Sequence, residues 1–572
     1  MHKKIIRREL MNEDSHHFSI HPLLQRIYRS RGVKLDTELQ HSLESLLSYD
    51  ALKDIQKAVD ILFDALQSQK QILIVGDFDA DGATSTAVAI RALRSFGAEK
   101  VDYLVPNRFA FGYGLTPELV DVARQFKPEL IVTVDNGIAN HAGVIRAKEL
   151  GMKVLITDHH LPAETLPPAD AIVNPNQPGC PFKSKNIAGV GVIFYVMLAF
   201  RRYLQDNDWF KKQNIPEPNL SRLLDIVALG TVADVVSLDY NNRILVQQGL
   251  KRIRKNFCIP GITALLEIGN RSHERLVASD LGFVVAPRLN AAGRLDDMSL
   301  GIECLITDDL SVARTIASQL HQFNEERRVI EQDMQEQALH YLKKLEPSHE
   351  KLPRGICLFE EEWHQGVIGI LASRLKDRFH RPVIAFALSN ESELKGSARS
   401  IPGVHIRDAL AHIATKHPNL IHKFGGHAMA AGLTLPRASF EKFSYEFDQI
   451  ISSQLKAEDC HQSWLSDGEL LDEEISLEIA SILREGGPWG QSFPEPLFDG
   501  VFKVFEQRLL AGKHLKMTVG KGDKILDAIA FNVDLSKWPN YRAEYVKMVY
   551  RLDINEFRGK CKLQFIVEHM EA

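Results

Sequence analysis

The sequence predicts an α/β protein: a parallel-sheet domain, a long connecting helix, a second α/β domain and a small C-terminal β-barrel. Three observations carry this. Short apolar runs alternate with helix-like stretches through the first third of the chain. Residues 308–346 hold helical spacing without a break, and the last hundred or so residues switch to short alternating runs.

Taken in order, the stretches at 71–75 (QILIV), 129–134 (ELIVTV) and 153–157 (KVLIT) are short apolar runs of strand length. That is the pattern of strands covered on both faces, as in a parallel sheet. Stretches 83–96 and 117–126 separate them as helices, the second with Pro117 at its start. The run "IAGVGVIFYVMLAF" (187–200) falls short of the roughly 20 residues a bilayer span needs, so it reads as a buried helix. Asp308 or Asp309 can cap the helix 308–346, and Leu310, Ala313, Ala317, Leu320 and Phe323 recur on one face. "EPSHEKLPRG" ends it, and a second α/β unit opens with "GICLFEEEWHQG". Runs at 501–505, 514–519, 525–531, 546–552 and 562–567, with "GKGDK" as a hairpin turn, predict a small barrel or sandwich. The expected domain limits are 1–300 with an N-terminal helical extension, the connector 308–346, then 350–455 and 462–572.

Bulk properties narrow the function. A chain of 572 residues exceeds one hydrophobic core. Its net charge of −5 gives no global field for nucleic acid, leaving only local patches. Six scattered cysteines without a CxxC pair argue against a zinc ribbon or a disulfide framework and suit a reducing compartment. The start "MHKKIIRREL" is basic but lacks the apolar stretch of a secretory signal, so a cytoplasmic location off the membrane is expected.

Each predicted strand runs into polar residues: Asp77, Asp79 and Asp81; Asp135-Asn136; and Asp158, His159 and His160. Ligands of open α/β sheets bind beyond the carboxyl ends of the strands, so three segments aim at one rim. Carboxylates 4 Å apart repel by about 1–4 kcal/mol near a surface, which a bound cation relieves. A calcium EF-hand loop fails because its twelfth position, counted from Asp77, is Val88 rather than Glu. A P-loop fails because neither Gly76 nor Gly82 precedes Lys-Ser or Lys-Thr. Taken singly, the aspartates could merely cap the helix at 83, and the histidines could be a solvated pair; convergence on one rim favours metal. Aspartates with few imidazoles suit manganese or magnesium rather than zinc. Two such ions about 3.5–4 Å apart form the arrangement used for displacement at phosphorus.

"VGDFDADGATS", "VPNRF", "VTVDNG", "TDHH" and "GTVADVV" resemble the motifs of the DHH phosphoesterase family, while "GSARS" and "FGGHAMAAG" resemble its associated C-terminal domain. With the connector and β-rich tail, nearly the whole chain resembles the single-stranded-DNA exonucleases of that family. The resemblance implies a DHH catalytic domain, a DHH-associated substrate-binding domain and an OB-like nucleic-acid-binding barrel. It makes Asp79, Asp81, Asp135, His159 and Asp234 ligands of two divalent cations, Mn2+ or Mg2+, with Asp135 bridging. Asp77 joins them, because Val75 stands where related pyrophosphatases carry a ligating histidine. His160 would face the scissile phosphate, with Asp158 orienting the histidines.

Six aspartates carry about −6 against +4 from two ions, so an anionic substrate needs cations around it. The resemblance supplies Arg108, Arg288, Asn290, Arg294, Ser397, Arg399, Gly425, Gly426 and His427, the arginines lying in Gly/Pro/Asn-rich segments read as loops. It further implies 5′→3′ digestion of single-stranded DNA in repair and recombination, within a cleft admitting one strand. Single-strand-binding protein and repair helicases would be partners. A phosphodiesterase for oligonucleotides or cyclic dinucleotides, or a single-strand-binding module with a decayed site, are the alternatives. From Leu497 the tail holds 13 Lys/Arg against 10 Asp/Glu. Within it, Trp538 and Tyr541 are expected to stack on bases, and Tyr550 and Phe565 to fill the barrel.

Overall fold

Five short strands, β1 (Ile72–Val75), β2 (Val101–Leu104), β3 (Leu130–Val134), β4 (Lys153–Thr157) and β5 (Ala171–Val173), form a parallel sheet in the order β2-β1-β3-β4-β5. The computed structural model describes residues 4–9, 19–345, 352–456, 463–557 and 560–572. Every residue of β1 and β3 is buried, which is why both are predominantly apolar, with Thr133 the one hydroxyl in either. One face packs on helices Pro117–Ala123 and His141–Glu149 through Leu73, Val75, Leu119, Val120, Ile131 and Val144. The other carries α1 (Ala80–Ser95), α2 (Gly189–Asp206) and α3 (Leu224–Ala233), which pack on one another. The apolar run at 187–200 is thus a buried helix, as expected.

The order places β2 and β3 on opposite sides of β1, so the crossovers diverge between β1 and β3. Such a switch point opens a crevice at the carboxyl ends of those two strands. Asn136 bridges it, its Nδ2 donating to the carbonyls of Val75 (3.0 Å) and Val134 (2.9 Å).

One expectation fails here. "APRLNAAGRL" is not a loop but α4 (Ala286–Leu295). Pro287 lies in the first turn, where its missing N–H costs nothing. Gly293 is required by packing rather than by a turn, since a Cβ there would overlap the Phe78 carbonyl. The connector follows as α5 (Leu310–Leu345), with Ala313, Ala317 and Leu320 buried; the expected end at 346 lies outside the described residues.

Contacts divide the chain into two compact units, 7–322 with 465–572, and 323–464 with the residues before 7. The smaller has a five-stranded sheet of β6 (Ile356–Phe359), β7 (Val383–Leu388), β8 (Glu393–Arg399), β9 (Lys423–Gly426) and β10 (Ala430–Pro436), ordered β9-β10-β8-β7-β6. Its core joins Phe386, Leu394 and Leu433 of the sheet to Phe443, Phe447 and Ile451 of helix Phe440–Gln454.

Within the larger unit the C-terminal strands β11 (Phe498–Leu510), β12 (His514–Lys521), β13 (Lys524–Ala530), β14 (Tyr545–Phe557) and β15 (Lys560–Glu571) close a barrel, β11-β12-β13-β15-β14. Gly522, at φ 55°, opens the predicted "GKGDK" turn between β12 and β13. Phe502, Tyr550 and Phe565 fill the interior with ring centroids 4.2–5.4 Å apart. Tyr541 is 76% exposed, but Trp538 is 6% exposed and belongs to the packing, which corrects its expected role as a stacking surface. The segment preceding the barrel is tied to the N-terminal helix Pro22–Arg29 and the turn after it: Arg31 makes a bidentate pair with Asp467 (2.7 and 2.9 Å), and Tyr28 donates to the Gly486 carbonyl at 2.6 Å. Among the described residues no helix is long and apolar enough to cross a membrane.

Candidate metal centre

The loop after β1 delivers three carboxylates because of one cap. Asp79 is the N-cap of α1, its Oδ1 accepting from the amides of Asp81 (2.9 Å) and Gly82 (3.0 Å). Such a cap contributes about 1 kcal/mol. The helix therefore begins at Ala80, earlier than expected, and carries Asp81 in its first turn. Gly82 lets the chain fold back on itself, since a Cβ would lie 2.6 Å from the Asp77 nitrogen. The Asn290 side chain accepts from the Ala80 amide at 2.9 Å, so α4 props this loop.

Asp81 is anchored from a helix a hundred residues away. Its Oδ2 accepts from the Gly189 amide at 2.7 Å and its Oδ1 from Val190 at 3.0 Å, at the positive end of α2. Gly189 also admits Asp135, whose Cβ would lie 2.6 Å from a Cβ at that position. Asp135 follows β3 in the left-handed region, φ 63°, which turns its carboxylate back over the strand ends.

Asp158, after β4, is a hub rather than a member of the acidic cluster. Oδ1 accepts from the amides of His159 (2.7 Å) and His160 (3.1 Å) and from His160 Nδ1 (2.8 Å), while Oδ2 accepts from Ile138 (2.9 Å). His159 Nε2 then stands 3.0 Å from Asp135 Oδ1, 3.5 Å from Asp234 Oδ2 and 3.9 Å from Asp81 Oδ2. Three sets of ligand atoms lie within 4.8 Å of one another: Asp135/His159/His160, Asp81/His159/Asp234 and Asp77/Asp79/Asp135. Asp135 and His159 are each shared by two sets.

The electrostatics call for cations. Burial, then the neighbouring Asp234 charge, pushes Asp81 up to about 7. Burial and Asp79 do the same to Asp234, while Asp77 and Asp135 rise well above the usual carboxylate range. Burial resists ionisation of Asp158 as well, yet the charge and hydrogen bond of His160 hold it down at about 2. Burial likewise opposes the His160 charge, and Asp158 overcomes it, raising the imidazole to about 9. Burial and the His160 charge lower His159, favouring the neutral ring that a metal ligand must be. Asp77 Oδ1, Asp135 Oδ1 and His159 Nε2 are buried without a hydrogen-bond partner. Orphaned acceptors converging in a crowded acidic pocket fit divalent cations.

Arg108 Cζ lies 4.2 Å over the Phe78 ring, within the field of Asp77 and Asp79. Arg288 is buried and donates to the Val284 carbonyl one turn earlier, while Arg294 ends α4 half-buried. In the smaller unit Ser397 and Arg399 point from one face of β8, Arg399 Nη1 donating to Ser397 Oγ at 3.1 Å. Gly425 pairs with Gly432, which pairs with Ser397, so a cleared row crosses three strands. Gly426, at φ 140°, leads to the exposed His427.

Sequence reasoning missed Tyr113. Its hydroxyl donates to the Asp135 carbonyl at 3.1 Å and lies 3.1 Å from His160 Nδ1. The available signal was its pair of flanking glycines, Gly112 at φ 76° and Gly114 at φ 72°.

A doubly wound sheet with carboxylates and imidazoles gathered at its switch point defines the DHH class of proteins. The model of the DHH family, N-terminal domain, matches residues 71–231, that of the DHHA1 domain 353–453, and that of the RecJ OB domain 466–569. The chain is 55% identical over 549 residues to the single-stranded-DNA-specific exonuclease RecJ of Salmonella typhimurium, covering 96% of this chain and 95% of that one. To the protein of the same name from Haemophilus influenzae it is 50% identical over 575 residues, covering 100% and 99%. The crystal structure of RecJ in complex with Mn2+ from Thermus thermophilus superposes with a TM-score of 0.77 at 29% identity, over 96% of this chain and 76% of that one. The chain belongs to the RecJ family.

Proposed function

We propose that this chain is a metal-dependent exonuclease hydrolysing the phosphodiester bonds of single-stranded DNA from the 5′ end, in repair and recombination. The observation that carries the reading is the pair of shared ligands, Asp135 and His159, joining three cation-sized donor sets at one switch point. Asp77, Asp79, Asp81, Asp135, His159 and Asp234 would hold two divalent cations; Mn2+ and Mg2+ are the ions with which RecJ from Thermus thermophilus was crystallised. When bound, these supply Lewis-acid activation of water and charge neutralisation at phosphorus.

The chain's own residues do the rest. Asp158 keeps His160 charged and oriented, so the imidazolium donates to a phosphate oxygen as negative charge develops. Tyr113 steadies the same ring. Arg108, Arg294, Arg399 and His427 hold phosphates, each charge-assisted bond contributing about 1.5–3 kcal/mol. Arg288 and Asn290 support the site from α4. The domains take the limits 1–300, 350–455 and 462–572 around the connector 308–346, and the barrel grips the strand. The family resemblance supports a cytoplasmic location, with single-strand-binding protein and repair helicases as partners.

Digestion of end-labelled single-stranded DNA with manganese, with magnesium and with chelator tests the reading. Metal-dependent release of nucleotides from the 5′ end is expected. Dinucleotides cleaved in strong preference to long strands would mark an oligonucleotide phosphodiesterase, and binding without release a decayed module.

A further inference from the structure

The backbone immediately after Asp234 is strained. Val235 sits at φ 58°, where a β-branched residue costs about 1–2 kcal/mol. Its side chain is 64% exposed, so no burial offsets that cost. The loop it begins is gripped from the C-terminal segment that precedes the barrel. The Leu238 amide donates to the Gln491 carbonyl at 2.8 Å, and Ser237 Oγ lies 2.8 Å from Ser492 Oγ. A Cβ at Gly490 would lie 2.7 Å from Leu238 Cδ1, so the two chains meet without a gap. Ser492 is itself left-handed, at φ 61°.

The gripping turn is rigid. Gly490 and Phe493 exchange amide–carbonyl bonds at 2.9 and 3.1 Å. Phe493 stacks on Trp489 with centroids 5.3 Å apart, and Arg243 Cζ lies 4.3 Å from the Phe493 ring centroid. The strained loop and the turn that holds it thus lie directly after a carboxylate 3.5 Å from His159.

We propose that turn 490–493 is a positioning element for the metal centre: it clamps loop 235–238, and so fixes the Asp234 carboxylate against His159. The inference rests on Asp234 being a cation ligand, and Ser492 and Val235 act through it rather than on substrate. Groups that orient metal ligands from outside typically change affinity about 10–100-fold when altered.

The test uses the full chain without DNA, following free Mn2+ by electron paramagnetic resonance. Asp234→Ala should lose one bound ion, which checks the ligand assignment itself. Val235→Gly, which relaxes the backbone, should weaken that ion about tenfold with no fall in melting temperature. The double variant Ser237→Ala/Ser492→Ala provides a second route if Val235→Gly misfolds, and should weaken the same ion. Loss of an ion in Asp234→Ala, with wild-type Mn2+ affinity in the other variants, overturns the clamp. Wild-type binding by Asp234→Ala overturns the ligand assignment and the clamp with it.

Discussion

Asp158 accepts from both the backbone amide and the ring of His160, at 3.1 and 2.8 Å, so one carboxylate sets the place and the charge of that imidazole. Asp158→Asn keeps an acceptor for the amides but removes the charge. Single-turnover cleavage is expected to fall about 10–100-fold while Mn2+ binding changes little. Equal losses in both would show that Asp158 acts as a ligand instead.

Asp135 separates charge from backbone strain. At φ 63° the position suits Asn far better than Ala. Asp135→Asn should abolish hydrolysis yet leave the metal-free protein at least as stable as wild type, because one crowded carboxylate is gone. Asp135→Ala should be equally inactive and about 1 kcal/mol less stable than the Asn variant. Urea unfolding with chelator measures the difference; activity within a few-fold of wild type in either variant would refute the shared-ligand role.

A pH effect should arise away from the centre. Asp225 is fully buried, one oxygen accepting from Ile259 at 2.8 Å and the other unpartnered, and burial pushes its carboxyl up to about 6. An acid whose folded value lies above its unfolded one, about 3.9, is held more tightly as a protonated group by the native chain. Its penalty is absent below about pH 4, grows between 4 and 6, and levels off above, reaching roughly 3 kcal/mol. Asp225→Asn should flatten stability against pH in that window relative to wild type. Parallel curves for the two proteins would exclude the effect.

In the barrel the two aromatic candidates should now part company. Trp538→Ala should destabilise the fold by about 3–5 kcal/mol, the usual cost of emptying a large packed side chain. Tyr541→Ala should leave stability alone and weaken single-strand binding, by about 1–3 kcal/mol if the ring stacks on a base. Unchanged DNA affinity in Tyr541→Ala would remove it from the interface.

The central strands were legible because both their faces are buried, which leaves no charged residue in ILIV or LIVTV. The aspartates and histidines stood out because charge follows each strand directly. What stayed hidden depends on distance along the chain. Nothing local to Asp81 announces that Gly189 and Val190 will anchor it. Tyr113 carries no charge and reads as one more loop aromatic. Pro287 and Gly293 look like breakers of α4, although one sits in its first turn and the other marks a close approach. Trp538 lies among polar neighbours in sequence while its ring packs inward.

The tie between Arg31 and Asp467 has a temporal side, because 436 residues separate its ends. Synthesis at about 5–20 residues per second puts roughly 20–90 s between the emergence of the two partners. Throughout that interval the nascent first unit lacks the segment that completes it, and the whole of 323–464 is made meanwhile. Its N-terminal helix waits without the Gly486–Phe493 segment that covers Leu24 and Tyr28 in the finished protein. Uncovered apolar surface of this kind is what chaperones shield, and truncated products would leave the same face open to aggregation.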